Sequence, residues 1–200
     1  MTNHEIMKHF SFSQAVLNLN YRDLEQFHKK FDDPVFCLHI TSKNDGINFF
    51  HWNSLRYVMN YMSAWYAIKS LLQAQMKPNH LGVTDEFRTD YQKKIQSVYV
   101  SNELCRFFED CRNVFIHEGI PFASMNLSFG QEVSLKLLVD VNQLKQSTYF
   151  KKGTKYVEGL ESVDFYEICK EHYSINKEFY KWFNDNIKWE HLKPRETTAK

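Results

Sequence analysis

The chain has 200 residues and a formal net charge of +1 at pH 7, which excludes a globally basic nucleic-acid binder and leaves nucleic-acid contact to a local patch, a cleft or a groove between subunits. An aromatic content of 16%, with 17 Phe and 11 Tyr, requires an interior or an interface, and only 6 Gly and 4 Pro exclude a loop-rich or disordered chain. The length suits one domain over residues 1–193, followed by a polar tail, 194–200, that is expected to be flexible.

The first expected element spans residues 11–31, where Val16, Leu17, Leu24, Phe27 and Phe31 follow a mostly helical spacing, with a break around Asn18–Asn20. Asp32-Asp33-Pro34 stops it, and the run from Pro34 to Phe50 reads as a short strand with a turn at Asn44-Asp45-Gly46. The longest helix is predicted from Asn53 to Met76, where Leu55, Val58, Met62, Trp65, Ile68 and Leu72 make a broad apolar face suited to the centre of a bundle. Thr84 with Asp85 and Glu86 marks the start of another helix. Ser101 or Asn102 caps the next, which Gly119 and Pro121 close. Period-two alternation then takes over: Met125, Leu127 and Phe129, the pair Gly130-Gln131, and Val133, Leu135, Leu137 and Val139 predict a β-hairpin within residues 124–141. Two further helices are expected, Ser162–Tyr173 and one from Ser174 or Asn176 to Lys188. The fold class is therefore mainly α, an up-and-down helical bundle with a β-hairpin inserted before the last helices.

Cys37, Cys105, Cys111 and Cys169 show no close CxxC spacing, so neither a metal site nor a redox pair is expected, and Cys105 and Cys111 read as small core residues. No apolar run follows a basic patch near the N-terminus, and no run of 18 or so apolar residues occurs anywhere. The expectation is a soluble cytoplasmic protein with reduced thiols, no membrane partner and no cofactor.

The stretch from Phe107 to Phe122, FFEDCRNVFIHEGIPF, is the most informative. At about 100° per residue, Leu104, Phe108, Cys111 and Phe115 fall in one direction with Phe107 and Val114 beside them. Asn113 and His117 fall on the opposite face, with Arg106, Glu109 and Asp110 around them. Arg112 lies at the border, about 140° from His117, so the two do not stack within one helix and converge more easily with a second subunit facing them. Arg carries a permanent planar cation that fits phosphate oxygens, and His moves protons near neutral pH. Together they can cleave RNA without a metal: a base takes the proton from a ribose 2′-OH, the hydroxyl attacks the adjacent phosphate, and Arg stabilises the charge that builds there. Asn113 can orient His117 or hold a phosphate. The Arg-to-His spacing alone is weak, because Arg22 and His28 also fit it. The longer string carries more: Asp110, Arg112-Asn113, His117, Gly119 and Pro121.

That string, EDCRNVFIHEGIP, resembles the R-N-x-x-x-H signature of the HEPN superfamily, in a form similar to a bacterial HEPN-like group. The resemblance covers under a tenth of the chain. It implies a compact helical domain and, in many members, a metal-independent endoribonuclease acting in defence or stress, as in toxin–antitoxin pairs, with the motif near the end of a late helix and one composite site across a homodimer. It assigns the catalytic positions to Arg112, Asn113 and His117. Other members are non-catalytic modules that bind a protein partner or a nucleotide. RNA, a second copy and an antitoxin-like protein are the implied partners. Glu109 and Arg106, beside the motif, and Lys151 and Lys152, in the basic loop FKKGTKY, are the candidate binding residues.

Ordinary structural roles stand beside each of these. Arg112 can pair with Glu109 or Asp110, His117 can cap helix-end carbonyls, and Asn113 can be a buried hydrogen-bond partner. Tyr57, Tyr61, Trp65 and Tyr66 read as core or as dimer surface rather than as a base-stacking platform. Lys29-Lys30, Lys93-Lys94 and Lys151-Lys152 read as solvated faces, and His80 and His191 as surface residues.

Overall fold

The computed structural model describes residues 3–77, 82–119, 123–129, 133–187 and 192–193. Seven α-helices and five short strands occur among them: α1 (Asn3–Lys29), α2 (Pro34–Thr41), α3 (Gly46–Gln75), β1 (Gly82–Val83), α4 (Asp85–Ile95), α5 (Glu103–His117), β2 (Ala123–Phe129), β3 (Val133–Asp140), α6 (Val141–Gln146), β4 (Ser162–Asp164), α7 (Phe165–Asn186) and β5 (Leu192–Lys193). A 3-10 turn over Lys30–Asp32 follows α1, and a π-helical turn over Gln96–Val100 follows α4.

Aromatic pairs give the direction of the long helices. Phe27 meets Phe50 and Tyr21 meets Tyr61, so α1 and α3 run antiparallel. Lys69 meets Glu109 and Tyr66 meets Arg112, so α3 and α5 do too. Phe108 stacks on His172 and Phe115 packs on Phe165, which sets α7 against α5, while Phe10 on Phe183 and Tyr21 on Tyr173 set it against α1. The four helices form an up-and-down bundle, as the sequence pattern predicts. Tyr61, Trp65, Phe107, Phe108, Phe165 and Phe179 lie almost wholly out of solvent at its centre. Cys37, Cys105, Cys111 and Cys169 are buried free thiols. No helix among the described residues is long and apolar enough to cross a membrane.

Several boundaries differ from the sequence expectation. The break at Asn18–Asn20 is absent, since Asn20 Nδ2 donates to the Val16 carbonyl oxygen at 2.9 Å within an unbroken α1. The strand expected after Pro34 is α2: Asp33 accepts from the Val35 amide and Pro34 stands in the first turn, so the residues that stop one helix start the next. Gly46 opens α3 seven residues before Asn53, and a Cβ there would lie 1.6 Å from the Ile40 carbonyl oxygen, so only glycine lets the two segments meet. The two last helices are one, α7, because Ser174 faces outward and Asn176 Nδ2 donates to the His172 carbonyl oxygen at 2.6 Å instead of capping a new helix.

The hairpin stands where alternation places it, with β2 and β3 antiparallel in register from Ala123↔Val139 to Phe129↔Val133. Its Gly130-Gln131 turn, and Pro121 before it, lie outside the described residues, as do His80, His191 and the tail. The sheet gains a third strand: β4 pairs antiparallel with β3, Leu138↔Asp164 to Asp140↔Ser162. Three residues are too few for a periodicity to show.

Candidate functional site at the end of the fifth helix

Helix α5 starts at Asn102, whose side chain accepts from the Cys105 amide, and ends where the Glu118 amide donates to the Val114 carbonyl oxygen. Gly119 follows at φ 85°, the left-handed conformation that the glycine there predicts. Leu104, Phe107, Phe108, Cys111, Val114 and Phe115 form the buried stripe.

Arg112 is half-buried, with its guanidinium carbon 3.6 Å from the ring centroid of Tyr66 on α3. Its Nη1 donates to Asn113 Oδ1 at 3.2 Å, while its Nε is buried with no hydrogen-bond partner among the described residues. It pairs with neither Glu109 nor Asp110, since both are engaged elsewhere. Glu109 accepts from Lys69 Nζ at 2.6 Å. Asp110, only 2% exposed, turns inward: its Oδ2 accepts from the backbone amides of Lys151, at 2.7 Å, Lys152, and Gly153, at 2.8 Å. Three amides converging on one carboxylate oxygen fix the basic loop against α5. Gly153 completes the contact, because a Cβ there would lie 2.5 Å from the Phe107 Cα.

His117 is exposed, and its ring stacks on Tyr149 with centroids 4.5 Å apart and planes 13° apart. Asn113 is one turn before it on the same face. Arg112, Asn113 and His117 thus make a strip in two parts: a hydrogen-bonded Arg112–Asn113 pair with its cation over Tyr66, and His117 one turn beyond Asn113 with its ring stacked on Tyr149. Arg112 and His117 share no hydrogen bond. Scans against protein-family models, curated proteins and solved structures found no match.

The candidate binding residues divide. Lys151 lies in the anchored loop with its side chain exposed. Arg106, Glu109 and Lys152 line a separate cavity of about 780 Å³ between α3, α4, α5 and α7, which Arg112, Asn113 and His117 do not line. Of the tyrosine-rich face of α3, Tyr61 and Trp65 are core and Tyr66 is 37% exposed beneath Arg112. The Arg22–His28 pair separates, since Arg22 is exposed and His28 is buried on Tyr166 at 4.3 Å.

Sequence reasoning missed Tyr66 and Tyr149 as the supports of the strip, because both come from distant segments. It also missed a buried polar network. His172 and Asn176 are fully buried; Tyr61 Oη lies 2.9 Å from His172 Nδ1, and Tyr99 Oη donates to Asn176 Oδ1 at 2.7 Å. Burial holds the His172 imidazole well below its ordinary pKa, so it is neutral, and Lys69 acts in the same direction. A polar pair four apart inside the apolar stripe of α7 was the available signal.

Proposed function

We propose that the chain is a HEPN-like metal-independent endoribonuclease whose reacting groups are Arg112, Asn113 and His117, completed by a second copy. The observation that carries this reading is the strip itself: Arg112 Nη1 is bonded to Asn113 at 3.2 Å, and an exposed His117 lies one turn on with its ring fixed by Tyr149. A phosphate against the strip meets a permanent cation and an amide, and the adjacent ribose meets an accessible base. His117 takes the 2′-OH proton, the 2′-oxygen attacks phosphorus, and Arg112 stabilises the charge on the non-bridging oxygens. The departing 5′-oxygen takes a proton from the partner subunit's His117, leaving a 2′,3′-cyclic phosphate and a 5′-hydroxyl. Regulation by an antitoxin-like protein and a role in defence or stress accompany this reading.

The test is end-group analysis of RNA incubated with the protein in excess chelator. Cyclic phosphate ends that vanish with Arg112→Ala support the reading. Cleavage that leaves 3′-hydroxyls contradicts it, since no 2′-oxygen attack would then have occurred.

One observation favours a second reading, a non-catalytic HEPN-like module that binds a protein or a nucleotide. The guanidinium carbon lies over the Tyr66 ring, 3.6 Å from its centroid, which is a stabilising contact in its own right. In that case Arg112→Ala lowers the melting temperature and no RNA is cleaved by the wild type.

A further inference from the structure

The cavity beside the strip has the shape and charge of a ligand site. Its volume, about 780 Å³, falls in the range of pockets that hold small organic molecules. Part of its lining is apolar: Leu72 from α3 and Met76 just past its end, Ile95 at the end of α4, and Phe179 from α7. Val100 also lines it and is 48% exposed, an apolar side chain left to water at the edge of the cavity.

The charges are unbalanced. Lys69 is neutralised by Glu109 at 2.6 Å, and this pair stands one turn from Tyr66 on α3 and one turn from Arg112 on α5, between the strip and the cavity. Arg106 and Lys152 also line the cavity and make no ion pair among the described residues. Lys152 is held there through its backbone, because its amide donates to Asp110, so its position does not depend on its own side chain. Lys77, just past the end of α3, lines the cavity unpaired as well, so three cations without an ion pair among the described residues stand beside the apolar lining, two of them, Arg106 and Lys152, on α5 and the loop anchored to it.

Another part of the lining comes from the π-helical turn Gln96–Val100. Such a turn carries one residue more than an α-helical turn and widens the backbone, a feature that recurs at functional sites. Here it presents both Tyr99 and Val100 to the cavity, and Tyr99 is fixed from behind by Asn176 at 2.7 Å. The wall is braced before any ligand arrives, which lowers the ordering cost of binding.

We propose that this cavity binds an amphipathic organic anion, an elongated or aromatic apolar body ending in one carboxylate, sulfonate or phosphate head. The body lies against Leu72, Ile95 and Phe179, and the head meets the Arg106 fork and Lys152. Since none of Arg112, Asn113 or His117 lines the cavity, the inference stands apart from the ribonuclease reading.

Calorimetric titration of the full chain with decanoate, decylamine and decanol tests it. Decanoate is expected to bind saturably, one per chain, and decylamine not at all. The double variant Arg106→Gln/Lys152→Gln should bind decanoate about tenfold more weakly or worse, with an unchanged melting temperature. Ile95→Trp, which fills the chamber without touching the cations, should abolish binding of both decanoate and decanol. Absence of saturable decanoate binding, equal binding of decylamine, or full affinity in both variants would overturn the proposal.

Discussion

A carboxylate that is 2% exposed needs donors, and Asp110 finds three in consecutive backbone amides of another segment. Asp110→Ala leaves those amides unsatisfied beside Phe107, and a loss of roughly 3 kcal/mol is expected, a fall of roughly 6–12 °C in melting temperature for a chain of this size. A second buried polar side chain, His28, acts through pH. Its ring is stacked on Tyr166 and edge-on to Phe50, its Nε2 has no partner among the described residues, and burial holds its pKa at about 4 against an ordinary 6.5. The unfolded chain therefore binds a proton that the folded chain does not between those values. Its contribution to stability is fully present above pH 6.5 and is lost as pH falls to 4, by about 3 kcal/mol at most. His28→Phe keeps the stacking and removes the titration, so denaturant melts from pH 7 to pH 4 should show a shallower loss in that variant than in wild type.

At the scale of elements, α5 carries both the core stripe and the strip, so its ends matter to function. Asn102→Ala removes the side chain that accepts from the Cys105 amide and should cost about 1 kcal/mol, or 2–4 °C. If the strip is catalytic, this variant should remain active once folded, because the N-cap stands at the far end of α5 from Arg112 and His117. The caps of α4 and α5 and the alternation of β2 and β3 were legible because each signal is local. The strand expected at Pro34 failed because a short apolar run has no periodicity of its own, and the Asp33 cap decides it. The helix break expected near Ser174 failed because Asn176 hydrogen-bonds to the His172 carbonyl oxygen within the helix and accepts from Tyr99 of the π-helical turn, where its sequence position suggested a cap.

Across the whole molecule, the up-and-down order of α1, α3, α5 and α7 lies in the long apolar stripes, while the neighbours of the candidate site do not. Arg112, Asn113 and His117 were legible as a cluster on one helix. Tyr66 and Tyr149, which hold its two ends, and the inward turn of Asp110 depend on packing between segments that no local pattern encodes. The same packing brings Arg106 and Glu109, expected beside the motif, and Lys152, expected in the basic loop, together on the cavity. A site completed by a second copy makes activity depend on association, so cleavage per chain should fall on dilution in step with dimer dissociation followed by light scattering. The central claim is met most directly by one comparison: the cleavage rate of a mixed-sequence RNA in excess chelator for wild type and for His117→Ala. The exposed His117 stacks on Tyr149 and has no other ring or hydrogen-bond contact among the described residues, so the variant should melt like wild type. Wild type should cleave, and the variant should lose about 100-fold or more of the rate. Equal rates in the two proteins, or no cleavage by either, would contradict the claim.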